Sequence, residues 1–142
     1  ADTVIIAGMG GELITDILEK GRIFFDAERK FILSPHTKTD EVRKYLLSNR
    51  FEITKEDMCI DDGKFYTVME AVYTGKTFSY TQGELLFGKY LIDNKNTVLF
   101  EYLKKERQKY LNIISADGIN DTRRRELKER LDIIEETINE MQ

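Results

Sequence analysis

The residues at the start of this chain best placed to do chemistry are Gly8-Met9-Gly10-Gly11, set between the apolar run Thr3-Val4-Ile5-Ile6-Ala7 and Glu12. Glycines let backbone N–H groups approach a ligand closely, and at the start of a following helix the macrodipole adds a preference for negative or polar groups. A dinucleotide fingerprint needs G-x-G-x-x-G, with an acid about 20 residues further on. Here the third glycine is missing, and the next apolar run, Phe31-Ile32-Leu33, ends in Ser34-Pro35-His36 with no acid at its tip. The spacing argues against a dinucleotide. It leaves two readings open: a ligand site from Gly8 to Glu12, and a tight strand-to-helix turn that holds nothing.

Three further groups carry possible chemistry. His36 is the sole histidine, beside the sole proline, Pro35. It falls at the carboxyl end of a predicted strand, where ligands bind in open α/β sheets, so proton handling and base contact stand beside the reading of an exposed loop residue. Cys59 is the only cysteine, which excludes an internal disulfide and a cysteine-based zinc site. Its neighbours Asp57, Met58 and Ile60 offer no positive charge, and it reads as a small buried apolar residue. No metal site is expected. Basic residues cluster twice, as Lys104, Lys105, Arg107 and Lys109, and as Arg123, Arg124 and Arg125. Such clusters can bind phosphates with a steep salt dependence, and three arginines opening a helix oppose its macrodipole. A solvated helix face explains the same charges.

Positioning these groups requires a fold of limited size. The 142 residues are 41% hydrophobic and 34% charged, enough for one core or one small core with a helical appendage. The net charge of −4 argues against a protein basic all over while allowing local basic patches. No apolar run reaches 18 residues and no leader pattern opens the chain, which predicts a soluble, intracellular protein.

The periodicity predicts a strand over Val4–Ala7, then a helix with Leu13, Ile14, Ile17 and Leu18 on one face, stopping at Gly21. A second strand follows at Lys30–Leu33. Thr39 or Asp40 then caps a helix with Val42, Tyr45 and Leu46 on its apolar side, ending near Asn49. The runs Phe51–Ile60 and Lys64–Tyr73 flank Asp61-Asp62-Gly63, a hairpin signal. This β-α-β-α-β-β order describes the second half of a doubly wound parallel sheet with a terminal antiparallel hairpin, an α/β fold.

After Thr81 the pattern changes. A short helix is expected over Glu84–Ile92, with Gly88 allowing a close approach. Heptad steps then link Leu99, Leu103, Glu106, Tyr110 and Ile113, and again Leu127, Leu131, Ile134, Ile138 and Met141. With a turn at Gly118 and a capping acid after it, the two helices are expected to fold back as a coiled-coil hairpin. The predicted division is residues 1–80 for the sheet and 81–142 for the helices.

Several of these segments, in this order, resemble the TrmK family of bacterial tRNA (adenine-N1)-methyltransferases: Ala7-Gly8-Met9-Gly10-Gly11-Glu12-Leu13-Ile14, the strand ending at Pro35, Glu41-x-Arg43-x-Tyr45-Leu46, Asp62-Gly63-Lys64-Phe65-Tyr66, and Glu84-Leu85-Leu86-Phe87-Gly88. The resemblance covers nearly the whole chain. It implies a Rossmann-like class I domain that uses S-adenosyl-L-methionine, followed by helices, acting on an adenine of the tRNA D-loop region, position 22. It assigns Ala7, Gly8, Met9, Gly10 and Gly11 to the cofactor and the floor beneath the flipped base. Glu12, Ser34, Pro35, His36, Lys104, Lys105, Arg107, Arg123, Arg124 and Arg125 fall to the tRNA side. Many relatives read Gln-Pro-Asn where this chain has Ser34-Pro35-His36.

By the same resemblance the chain begins at the sheet's fourth strand. The main cofactor turn and the catalytic groups would then lie outside it, and it would be inactive alone. Expected partners are tRNA and no membrane, in the cytoplasm, and the first strand would present an apolar edge that favours pairing with another copy. The alternative reading, supported by the heptads and the missing fingerprint, is a non-catalytic coiled-coil interaction module on a small α/β platform.

Overall fold

Alternating apolar residues draw four strands into one sheet in a computed structural model that describes residues 2–142. In chain order the elements are β1 (Thr3–Met9), α1 (Gly11–Lys20), β2 (Lys30–Pro35), α2 (Thr39–Ser48), β3 (Phe51–Asp61) and β4 (Lys64–Tyr73). The helices α3 (Gln82–Phe87), α4 (Lys89–Asp93), α5 (Thr97–Ile114) and α6 (Asp121–Met141) follow. The sheet order is β1-β2-β4-β3. β1 and β2 run parallel with Ile6 opposite Leu33, and β4 lies antiparallel to both β2 and β3, with Leu33 opposite Met69. The expected hairpin turn is present: Asp62 and Gly63 both take positive φ (51° and 75°), the twist that a two-residue connection needs.

One face of the sheet buries Ile6, Phe31, Leu33, Phe51, Ile53, Met69 and Ala71 against Ile14 and Leu18 of α1 and Val42 and Leu46 of α2. Leu13 and Ile17, expected in the same stripe, are instead 51% and 39% exposed. Each lies about 100° around the helix from its buried neighbour. They fall on the flank beside β1, which pairs on one side only among the described residues. Phe24 (57% exposed) lies open on this side and lines an apolar groove of about 320 Å³ with Val4, Ile6, Ile17 and Phe31, whereas Ile5 (71%) is exposed on the opposite face of β1.

A second apolar cluster joins Met58 of β3 to Phe87, Leu91, Ile92, Leu99, Leu103, Ile134, Ile138 and Met141. The α6 heptad residues are all buried, whereas on α5 only Leu99 and Leu103 are, and Glu106, Tyr110 and Ile113 are half-buried. α5 and α6 pack on one another, but α6 also packs on α3 and α4, so its stripe is shared among several partners. No helix among the described residues is long and apolar enough to cross a membrane.

Four local expectations are corrected. α2 begins after Lys38 in the left-handed region (φ 52°), with no side-chain cap from Thr39 or Asp40. α6 is capped by Asn120, whose Oδ1 accepts from the Arg123 amide at 2.7 Å, rather than by an acid. The single helix over Glu84–Ile92 is two, broken at Gly88 (φ 99°). Cys59 is exposed, because the register shift between Ile53 and Lys55 turns Met58 inward and Cys59 outward.

The break at Gly88 has a physical cause in a side chain the periodicity would have placed outside. Arg43 of α2 is 1% exposed and pairs with the fully buried Glu56 carboxylate at 2.8 Å. Its Nη1 donates to the carbonyls of Leu85 and Leu86 at 2.8 and 3.0 Å, satisfying the open end of α3. A Cβ on Gly88 would lie 3.0 Å from Arg43 Nη2 and 3.1 Å from Glu56 Oε1 and Oε2. The close approach expected of Gly88 is thus an approach to this ion pair, which ties α2 and β3 to α3.

Candidate functional site

Two turns leave the carboxyl ends of the parallel strands β1 and β2 and are joined side by side. The His36 amide donates to the Met9 carbonyl and the Gly11 amide to the Thr37 carbonyl, both at 2.9 Å. Lys38, which opens α2, reaches back to form an ion pair with Glu12 in the first turn of α1. That hydrogen-bonded contact lowers the Glu12 carboxyl below its ordinary range and raises the Lys38 ammonium above its own.

The glycines have separate roles. Gly8 takes φ +77°, with nothing within 4 Å of the position a Cβ would occupy. At Gly10 a Cβ would meet the Thr37 hydroxyl at 3.0 Å. At Gly11 it would lie 2.6 Å from the Thr37 carbonyl oxygen and 2.7 Å from that of Lys38. Gly11 is therefore required for contact between the two turns, and its amide is already bonded. The Gly10 carbonyl is also used, accepting from Ile14 at 3.1 Å. The amides of Glu12 and Leu13 in the first turn of α1 have no backbone acceptor among the described residues, which leaves a positive helix end at the turn.

The other predicted residues divide the same way. Ala7 is exposed, and Met9 is half-buried and packed against the main core. Pro35 is buried opposite Met9 in the β1–β2 register. The Ser34 hydroxyl donates to the Thr67 carbonyl of β4 at 3.2 Å and so braces the sheet. His36 is exposed, and its ring meets that of Tyr66 edge-to-face with centroids 5.8 Å apart. Arg43, Glu56, Thr37 and Tyr66 were not singled out by the turn or charge patterns. Their only sequence signal is that Arg43 and Tyr66 lie inside segments that carry the family resemblance.

The basic residues form two groups rather than one surface. Lys104 lies over the Phe100 ring at 5.0 Å, Lys105 over the Phe65 ring at 5.3 Å beside the β3–β4 turn, and Arg107 is half-buried. Arg123 and Arg125 are exposed at the start of α6. Arg124 is tied down, donating to the Ile114 carbonyl at 3.3 Å and pairing with Asp121 at 3.4 Å. Along α5 the distance from Lys104 to Ile114 is about 15 Å at 1.5 Å per residue, so one phosphate cannot bridge both groups. Among the described residues no group of three or more histidine, cysteine or acidic side chains is placed to hold a metal ion.

Comparison with known proteins places this geometry. The chain is 31% identical over 152 residues to the tRNA (adenine(22)-N(1))-methyltransferase of Bacillus subtilis (strain 168), a match covering 98% of this chain and 63% of that protein. The chain thus spans less than two thirds of the length of this curated relative. Among solved structures it is similar to a protein of the NADB-Rossmann superfamily from Streptococcus agalactiae, at 30% identity and TM-score 0.84, over 96% of this chain and 60% of that one. It is similar also to Streptococcus pneumoniae Sp1610 in complex with S-adenosyl-L-methionine, at 26% identity and TM-score 0.83, over 96% of this chain and 59% of that one. A family model described as tRNA (adenine(22)-N(1))-methyltransferase matches residues 1–141, and the chain belongs to this family, TrmK.

Proposed function

We propose that this chain carries the acceptor-base side of an S-adenosyl-L-methionine-dependent enzyme that methylates adenine N1 at position 22 in the D-loop region of tRNA, in the cytoplasm. The observation that carries the reading is the pair of joined turns at the carboxyl ends of two adjacent parallel strands, where α/β folds bind their ligands. Ala7, Gly8, Met9 and Gly10 would face the donor and the base, with Gly11 holding the floor in place. Residues 1–80 act as the second half of a class I sheet and residues 81–142 as a helical domain whose α5 and α6 form a coiled-coil hairpin. The S. pneumoniae complex supports the choice of donor, and the free edge of β1 is where further strands of such a sheet would add.

On this reading the 142 residues hold only part of the donor's contacts and transfer no methyl group alone. A chimera joining them to the unmatched portion of the B. subtilis relative should transfer labelled methyl from S-adenosyl-L-methionine to adenine N1 of unmodified tRNA. Failure of the chimera to do so, with tRNA quality confirmed, would abandon the reading. The exposed Ile5 on the β1 edge further predicts that the isolated chain pairs with itself as concentration rises, and scattering from a monomer at every concentration would count against this.

Lys104, Lys105, Arg107, Arg123, Arg124 and Arg125 are proposed to meet tRNA phosphates. Because Arg123 and Arg125 are exposed and Arg124 is engaged, Arg123→Ala with Arg125→Ala should remove most of what the triple alanine variant removes. Each lost phosphate contact lowers the slope of log affinity against log salt by about 0.7–0.9. Titration of tRNA at several salt concentrations measures this, and an unchanged slope would show these arginines to be merely solvated.

A further inference from the structure

We propose that His36 and Tyr66 together form the seat of the acceptor purine, an adenine base laid against their rings at the carboxyl end of the sheet. The proposal rests on the RNA-methylation reading and adds Tyr66 to it as a substrate-positioning residue.

The backbone places the two rings by register. Leu33 of β2 faces Met69 of β4 in the antiparallel ladder, and counting outward brings His36 level with Tyr66. The Ser34–Thr67 hydrogen bond holds the strands together just before that point, and the His36 amide ties the row to Met9 on the other side. Met9 at the end of β1, His36 just past β2 and Tyr66 in β4 therefore lie side by side at one sheet end, a row roughly 10 Å long at about 4.8 Å per strand. The ring planes of His36 and Tyr66 cross at 63°. In an edge-to-face pair the ring that presents its edge keeps both of its own faces clear, and the other ring keeps one, so the pair leaves π surface for a third ring. His36 is exposed and Tyr66 half-buried.

The chemistry that fits this surface is a base out of its stack. An adenine presented at N1 has lost its pairing and stacking partners, and aromatic faces replace the stacking in proteins that hold splayed or flipped bases. The ligand class is accordingly a purine ring, with the phosphate grip left to the basic residues of α5 and α6.

His36 is the only histidine, so its imidazole proton resonances form a single reporter at the site. Titrating the 142-residue chain with adenosine monophosphate should move those resonances upfield, saturably, by the ring current of the stacked purine. Tyr66→Ala should weaken the response roughly ten-fold, the order expected when one aromatic stacking partner is lost. Tyr66→Phe, which keeps the ring, should retain it. Resonances that do not move, an alanine variant equal to the parent, or a phenylalanine variant as weak as alanine would each overturn the seat. Binding of whole tRNA is read separately: tRNA binding with a silent His36 refutes the seat and leaves the RNA reading standing. A His36 response to the nucleotide without tRNA binding keeps the seat and removes the tRNA assignment.

Discussion

Arg43→Met is expected to be the most destabilising single change to a polar residue in this chain. The substitution roughly preserves volume and takes the guanidinium from the Glu56 carboxylate, whose side chain is fully buried, and from the carbonyls of Leu85 and Leu86. Breaking a buried ion pair from one side costs about 3–5 kcal/mol, because the remaining charge has no water to turn to. For a domain of this size that lowers the thermal midpoint by roughly 10–17 °C. Glu56→Met added to Arg43→Met removes the stranded charge and should recover part of the loss, the part due to the uncompensated carboxylate. Thermal or urea unfolding of parent, single and double variants measures it. A single variant within 1 kcal/mol of the parent would mean that water reaches Glu56 and that the pair does not hold α3. The recovery has a limit, because the α3 carbonyls stay without their donor in the double variant too, and each buried carbonyl left unpaired costs about 1–3 kcal/mol.

How much of this was legible in the sequence depends on whether the cause was local. The hairpin at Asp62-Gly63 was readable because two positive-φ residues must occur together there, and few residue types tolerate it. The α2 stripe was readable because Val42 and Leu46 recur at helical spacing and both are fully buried. Arg43 lies between them, and periodicity assigns a charged residue there to solvent. Its burial depends on Glu56 and on the end of α3, 13 and 42 residues away, a coincidence no local window contains. The exposure of Cys59 also has a cause outside its neighbours: strand alternation counted from Phe51 and Ile53 would turn it inward, but the register between β3 and β4 slips at Thr54. The exposure of Leu13 and Ile17 is set by what lies beside β1, which pattern within α1 does not report. At the site, the glycine turn was visible as a turn, but its division of labour was not. That Gly11 closes against Thr37 and Lys38 emerges only once β2 is parallel to β1 and its loop is brought alongside.

That division yields a graded expectation across three glycines of one turn. Gly11→Ala puts a methyl group 2.6 and 2.7 Å from two backbone oxygens, neither of which can move without displacing the start of α2. Overpacking of this kind costs about 1–3 kcal/mol, against which alanine's better helix propensity returns less than about 1 kcal/mol at the first position of α1. Gly10→Ala meets only the Thr37 hydroxyl, which can rotate away, and should be nearly neutral. Gly8→Ala meets nothing, but φ +77° costs a side chain about 1–2 kcal/mol. The expected order of stability loss is therefore Gly11, then Gly8, then Gly10, measured by unfolding of the three variants. Site effects should follow a different order. Gly11→Ala pries apart the turns that the Gly11–Thr37 and His36–Met9 hydrogen bonds join, so it should weaken nucleotide response at His36 even where the protein stays folded. Gly10→Ala should change that response only if Gly10 itself faces the ligand. A Gly10 variant that is fully stable yet silent to nucleotide would assign Gly10 to ligand contact and Gly11 to the scaffold beneath it. Equal loss of stability at all three positions would instead mean that the turn tolerates no side chain for reasons of backbone shape alone.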